Sequence, residues 1–396
     1  MKKTIFLQAV RLRWLLPVLA LSLCALSSCG TGSNKDATTT TNTDATKGDS
    51  LSTAATVSST APEDIKPKGP KPDWAPASLT PQMQAVLETL DSLSGGKKLT
   101  DLTPQQARQA PSPADAVMAL MKEKNIPMPA SQVDTSGIQI PIGGGQHIQA
   151  RVYTPKSGTA PFPVIVYYHG GGWVIANLDT YNASAQGLAE QTGAVVVSVA
   201  YRQAPENKFP TAHNDSYAAY AWVLDNAAAI KADPNRVAVA GESAGGNLAA
   251  AVCLMARDKK AQLPLHQLLV YPIAGYDLNT PSYKANANAK PLNKPLMAWF
   301  FDKYLKSPAD GTSPMISLVQ ANLKGLPPAT IITAEIDPLM SEGKALADKL
   351  KAAGVPVTYQ NYEGVTHEFF GMATVLPQAK QAQQLAASEL KKGLNK

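Results

Sequence analysis

The stretch Ala240-Gly241-Glu242-Ser243-Ala244-Gly245-Gly246 sets one serine between two glycines. An apolar run, Arg236-Val237-Ala238-Val239-Ala240, leads into it, and Asn247-Leu248-Ala249-Ala250-Ala251-Val252-Cys253-Leu254-Met255-Ala256 follows. The first run has the length of a buried strand and the second that of a helix. Gly-x-Ser-x-Gly on a strand-to-helix turn is a nucleophile elbow. The turn is so tight that a side chain larger than glycine would clash near the serine. The serine is held in a strained conformation with its hydroxyl exposed, and the N-terminus of the new helix points at it. The bare motif arises often by chance. In this context it predicts partners elsewhere in the chain.

Those partners are present. Val164 to Tyr168 reads as a buried strand and runs into His169-Gly170-Gly171-Gly172-Trp173. Acyl transfer passes through a tetrahedral oxyanion, which needs fixed N–H donors where the charge develops. Consecutive glycines let backbone N–H groups approach without side-chain obstruction. With the N–H of Ala244, this loop makes a three-donor oxyanion hole. A merely flexible loop would explain the glycines but not the strand before them, nor the His and Trp that bracket them. Downstream, Ala329-Thr330-Ile331-Ile332-Thr333-Ala334 reads as another buried strand and ends at Glu335-Ile336-Asp337-Pro338-Leu339. A carboxylate past the C-terminal end of a strand lies where an open α/β sheet keeps its site. An alternating strand, 357–363, then delivers His367 on the loop that follows. Ser243, Asp337 and His367 supply a nucleophile, the acid that fixes the imidazole tautomer and the base that moves the proton. Asp215, which opens a helical stretch, is the weaker candidate for the acid.

These motifs together resemble the hormone-sensitive-lipase-like esterases, bacterial family IV of the α/β-hydrolases. The resemblance spans about residues 74 to 390. It rests on His-Gly-Gly-Gly-Trp at 169–173, Gly-Glu-Ser-Ala-Gly-Gly-Asn at 241–247, Asp-Pro-Leu at 337–339 and Gly-x-x-His-x-Phe at 364–369. Tyr201-Arg202-Gln203-Ala204-Pro205-Glu206 is similar to the family's Tyr-Arg-Leu-Ala-Pro-Glu. The Ser-Asp-His order is that of α/β-hydrolases. The resemblance implies a serine carboxylesterase for short acyl chains on small-molecule esters, with no metal and no cofactor. It implies that Gly171, Gly172 and Ala244 are the oxyanion donors. Six positions depart from the pattern: Ala176, Asn177, Tyr181, Asn182, Ala200 and Gln203. They remove acids that usually surround the oxyanion loop. None is a member of the triad, so they bear on loop support and substrate preference more than on activity. His169, with Gly170, is expected to brace the loop by side-chain hydrogen bonds.

The chain has 396 residues, 44% hydrophobic, enough for a large core in one α/β domain. The net charge of +6 is mostly a property of one end. Lys2, Lys3, Arg11 and Arg13 lie in the first 28 residues, which hold no acid; without them 32 basic residues stand against 30 acidic ones. That is no nucleic-acid footprint. The same end reads as a targeting segment: a positive start, an apolar stretch from Trp14 to Leu26 and then Ser27-Ser28-Cys29. It resembles a bacterial lipoprotein signal, cleaved before Cys29 with that thiol lipidated. An ordinary secretory signal and an uncleaved anchor are the competing readings. The expected organisation is a signal over 1–28, a disordered tether over 29–73 and an α/β-hydrolase domain over 74–396. The product would be exported and held on the periplasmic or cell-surface face of a bacterial membrane by its lipid. The tether is rich in Thr, Ser, Ala, Asp and Lys, with too little apolar surface to order itself. Of the three cysteines, only Cys253 stays in the domain, as a core thiol.

Within the domain, Thr80-Pro81 and Thr103-Pro104 are N-cap plus N1-proline starts. Helices over about 74–130 and an insertion over about 275–326 read as a cap, the latter carrying an amphipathic helix at 296–305. Strands are expected near 138–142, 148–154, 164–169, 194–199, 236–240, 267–271, 329–334 and 357–362. Helices are expected near 181–192, 212–230, 244–257, 339–353 and 376–392. This alternation gives a mostly parallel twisted sheet with helices on both faces and an antiparallel first hairpin. His147, His213 and His266 have no metal-ligand spacing and read as surface or loop residues. Glu242 points away from the site. A sugar-ester deacetylase or amidase would use the same triad, and a binding protein of this fold needs no turnover. The sequence sets no oligomeric state.

Overall fold

The computed structural model describes residues 64–395 of the chain. Its strands are β1 (Val133–Gly143), β2 (Gln146–Pro155), β3 (Phe162–Tyr168), β4 (Val195–Ala200), β5 (Ala232–Glu242), β6 (Gln267–Val270), β7 (Ala329–Ile336) and β8 (Val357–Thr366). They pair in one sheet in the order β1-β2-β4-β3-β5-β6-β7-β8. β2 runs antiparallel to both its neighbours, and β3 to β8 are parallel. Every expected strand is present. β1 begins at Val133 rather than near 138, because residues 134–137 are exposed and carry no apolar alternation. Gly143, Gly144 and Gly145, all at positive φ, turn it into β2.

The helices are α1 (Pro81–Ser94), α2 (Pro104–Ala107), α3 (Pro113–Glu123), α4 (Asn182–Thr192), α5 (Thr211–Asn226), α6 (Ala244–Asp258), α7 (Pro281–Ala285), α8 (Lys294–Tyr304), α9 (Pro308–Gly311), α10 (Met340–Ala352) and α11 (Pro377–Leu394). Successive strand residues point to opposite faces, so each central strand feeds two cores. Val164, Val166, Val197 and Val239 pack on one face with residues of α5, α6, α8 and α10. Ile165, Tyr167, Val196 and Ala238 pack on the other with residues of α1, α3, α4 and α11. Thr80 and Thr103 cap α1 and α2 as expected, each with its side chain accepting a backbone N–H. Ser112-Pro113 starts α3 by the same device, with a capping box through Asp115.

The signal segment, Cys29 and the tether as far as residue 63 lie outside the described residues. The remainder of the expected tether packs on α1. Ile65 is fully buried, and the N–H groups of Lys68 and Gly69 donate to Glu88 at 2.6 and 3.1 Å. One apolar residue and backbone hydrogen bonds hold that segment, which its Pro/Lys-rich composition did not announce. Among the described residues no helix is long and apolar enough to cross a membrane.

The strand order fixes where a site can form. β3 leads to β4 on one side, and the chain then crosses back so that β5 lies on the other. The crevice beyond the carboxyl ends of β3 and β5 is therefore the topological switch point.

Candidate active site

β5 ends at Glu242 and α6 begins at Ala244, so Ser243 is the whole turn between them. Its backbone stands at φ 56°, ψ −118°, a region sparsely allowed for any residue with a β-carbon. The backbone holds it there: the Ser243 N–H donates to Val270 O at 2.9 Å, and its carbonyl accepts from Asn247 and Ile273 at 3.1 and 3.2 Å. A β-carbon on Gly245 would run into the carbonyls of Tyr168 and His169, and one on Gly241 into that of Gly245. The flanking glycines thus let α6 start against the end of β3.

Three separated segments converge on Ser243. Its Oγ lies 2.9 Å from His367 Nε2. His367 Nδ1 lies 2.6 Å from Asp337 Oδ2. Asp337 is fully buried, and its Oδ1 accepts the Leu339 N–H at 2.8 Å. A carboxylate only accepts, so neutral His367 carries its proton on Nδ1 and turns a bare Nε2 to the serine hydroxyl. Burial pulls the His367 imidazolium down; Asp337, with Glu368 and Glu242, outweighs it and sets its pKa above the ordinary value. A nucleophile, a base and an orienting acid in line are what acyl transfer requires.

The His169 to Trp173 loop lies alongside. A β-carbon on Gly170 would meet the Glu242 carbonyl, which places the loop against the elbow. His169 Nδ1 bonds its neighbour, Gly170 O, at 2.8 Å and lies 3.4 Å from the Tyr201 hydroxyl, and burial lowers its pKa to about 4. The stronger brace is Tyr201. Its hydroxyl donates to His169 O at 2.9 Å and Gly170 O at 3.1 Å, and its ring stacks on the imidazole at 4.4 Å. Gln203 Nε2 donates to the carbonyls of Ile175 and Ala176, both at 2.8 Å. Arg108, from the end of α2, donates to Val174 O at 2.8 Å and pairs with Glu206 at 2.6 Å. Asn177 Oδ1 accepts the N–H groups of Asp179 and Thr180 at 2.9 and 3.0 Å. The departures from the family pattern therefore leave the loop supported, with neutral groups at Gln203 and Asn177 and with cap residue Arg108.

Further side chains pack around the triad. The Tyr271 ring lies 4.4 Å from that of His367, and its hydroxyl donates to Glu242. Glu242 also accepts from Tyr167 at 2.5 Å; it points beneath the elbow as expected, and burial, then Glu368, raises its pKa to about 7. Glu368 accepts from Tyr181 Oη at 2.6 Å. Its place inside the Gly-x-x-His-x-Phe motif was the one available signal.

Asp215 is buried and ion-paired with Arg202 at 2.7 Å, away from His367. His213 is neither a surface nor a loop residue, and His266 lies on the loop before β6 but is buried. His213 is fully buried on α5, 3.0 Å from Asn247 Oδ1 and 2.7 Å from Tyr304 Oη. His266 is 5% exposed and 2.9 Å from Thr330 Oγ1. His213 enters the core as an imidazole whose two ring nitrogens both find partners, and His266 is held there through Nε2. His147 is exposed, and Cys253 is a buried free thiol. From the cap, Phe300 of α8 sits where a side chain on Gly172 would go, and Trp173 stacks on Tyr304 at 4.5 Å.

The profile of a family described as alpha/beta hydrolase fold matches residues 165–371. The chain is 36% identical over 329 residues to the carboxylesterase NlhH of Mycobacterium tuberculosis, covering 82% of this chain and 99% of that protein. It is 30% identical over 322 residues to an ethyl acetate hydrolase of Pseudomonas putida, covering 80% and 100%. The crystal structure of a thermostable esterase from Pseudomonas putida superposes with a TM-score of 0.74 at 35% identity, covering 81% of this chain and 99% of that one. The chain belongs to the α/β-hydrolase fold family and stands among its esterases.

Proposed function

We propose that this serine carboxylesterase works through Ser243, His367 and Asp337 on small esters of short acyl chains. The observation that carries the reading is the unbroken line from Ser243 Oγ through His367 to Asp337, at 2.9 and 2.6 Å, on an elbow pressed against a glycine loop. Ser243 Oγ attacks the ester carbonyl while His367 Nε2 takes its proton. Charge develops on the carbonyl oxygen, and the N–H groups of Gly171, Gly172 and Ala244 receive it. Ala244 is the first residue of α6, so its N–H has no acceptor within the helix. The imidazolium returns the proton to the leaving alcohol, and an acyl-enzyme remains. Water, deprotonated by His367, attacks it and releases the acid.

Two observations favour short acyl groups. Phe300 closes the space beside Gly172, and Trp173 is fully buried. The ethyl acetate hydrolase among the relatives acts on an ester of that size. The same proposal places the enzyme on a bacterial membrane through a lipidated Cys29; its support is the sequence before Cys29 and the polar stretch after it. The test is a p-nitrophenyl ester series from acetate to palmitate on the full chain, with Ser243→Ala alongside. Turnover of acetate and butyrate, weak on palmitate and lost in the variant, is expected. Preference for palmitate would remove the short-chain assignment, and turnover confined to amides or sugar esters would replace it.

A further inference from the structure

Glu368 follows His367 directly, and its backbone stands at φ 73°, ψ 2°. Left-handed backbone favours glycine or asparagine, and strain of this kind persists where the surroundings over-determine it. A turn residue with no other task would send a carboxylate into water. This side chain is 18% exposed, and its Oε1 accepts a 2.6 Å hydrogen bond from Tyr181 Oη. The same Oε1 lies 3.9 Å from His367 Nε2, the nitrogen that holds Ser243. Tyr181 is itself buried, and its hydroxyl fills the space where a β-carbon on Gly170 would stand. The imidazole therefore lies between two carboxylates, Asp337 at Nδ1 and Glu368 on the Nε2 side.

We propose that Glu368, oriented by Tyr181, is a second positioning carboxylate for His367, which stabilises the imidazolium formed when Ser243 gives up its proton. The proposal rests on the triad reading above. Asp337 alone can fix the tautomer; Glu368 adds charge on the side where the proton arrives and from which it leaves. The groups around His367 are Asp337 after β7, Ser243 at the elbow, Tyr271 after β6, Glu242 at the end of β5, and Glu368. Around Glu368 stand His367 and Tyr181, with Asp337 and Glu242 coupled to it through space. Among the described residues His367 is the cation recorded in ion-pair range of Glu368. Burial raises the Glu368 pKa, while His367 and Tyr181 hold it down. A carboxylate beside an imidazolium raises the imidazole pKa, so losing it lowers that pKa.

The experiment compares the full chain with Glu368→Gln, Tyr181→Phe and the double variant. The His367 titration is read by NMR of its imidazole resonances, and kcat/KM for p-nitrophenyl acetate is read against pH. In Glu368→Gln the His367 titration and the acid limb of kcat/KM both move to lower pH by about half a unit or more. At the alkaline plateau kcat falls about tenfold, while KM stays within about twofold. Tyr181→Phe moves both readouts the same way by less, and the double variant matches Glu368→Gln alone. A folded Glu368→Gln whose His367 titration stays in place, or moves up, overturns the proposal and leaves Glu368 a turn residue. Should Glu368→Gln fail to fold, Glu368→Gly decides, because glycine tolerates the backbone and also lacks the carboxylate. The NMR titration needs no turnover, so failure of the Ser243 assignment would show separately, as undiminished hydrolysis in Ser243→Ala.

Discussion

Replacing Tyr201 with phenylalanine removes one hydroxyl and keeps the stacked ring. That hydroxyl donates to His169 O at 2.9 Å and to Gly170 O at 3.1 Å, in a residue only 3% exposed. Gly170 O keeps its bond from His169 Nδ1 at 2.8 Å. His169 O loses the donor that Tyr201 supplies. An unsatisfied buried carbonyl costs about 1–3 kcal/mol, and one such group places the expected loss at about 1–2 kcal/mol. The catalytic loss should be smaller than that of a missing oxyanion donor, which is about 100- to 1000-fold. Gln203, Arg108 and the Ala204 N–H, which donates to Trp173 O at 2.9 Å, still hold the far half of the loop. A drop in kcat of about tenfold with KM nearly unchanged is expected, since the loop acts on the transition state more than on the bound ester. Urea unfolding gives the first quantity and steady-state hydrolysis of p-nitrophenyl acetate the second. A variant as stable and as fast as the parent would refute the role given to Tyr201.

Two further outcomes follow from buried groups. Glu342 is buried with Oε2 unpartnered; burial raises its pKa to about 8, against the pull of the Ala274 and Gly275 N–H groups. The folded chain then keeps a proton that the unfolded chain has lost, so this residue lowers stability as pH rises from about 4.5 towards about 8. Glu342→Gln removes that slope, and its unfolding free energy from urea titration should gain on the parent's across the window, by at most about 1.4 kcal/mol per pH unit; parallel curves would contradict the assignment. Gly172→Ala puts a β-carbon at φ 58° into the Phe300 ring, and should cut kcat/KM by about 100-fold or more. Undiminished activity there would remove Phe300 from the loop.

Sequence alone revealed the parts whose signal is local. Gly241-Glu242-Ser243-Ala244-Gly245 announces its own strand, turn and helix; β3 to β7 are buried on both faces over most of their length, so each is a legible apolar run, while β8 was legible by its alternation. The N-cap threonines Thr80 and Thr103, each followed by a proline at the first helical position, marked α1 and α2. What stayed hidden depends on contacts between distant segments. Ile65 reaches the core of α1 from a Pro/Lys-rich stretch. His213 and His266 are buried because Asn247, Tyr304 and Thr330 meet them. The acids absent around the oxyanion loop suggested weakened support. The structure replaces them with Gln203, which looked like a defect in its motif, and with Arg108 from the cap. Glu368 was visible only as an unassigned letter beside the histidine, since nothing in its neighbourhood predicts that Tyr181 would turn it inward.

The most direct test of the central claim is covalent capture of the nucleophile. The full chain is incubated with an organophosphate p-nitrophenyl ester, and the site of phosphorylation is located by peptide mass spectrometry. The account predicts one phosphoryl group per chain, on Ser243, formed as ester hydrolysis is lost, and none in Ser243→Ala or at a comparable rate in His367→Ala. Modification at another residue, or an unlabelled Ser243 in a chain that still hydrolyses p-nitrophenyl acetate, would contradict it.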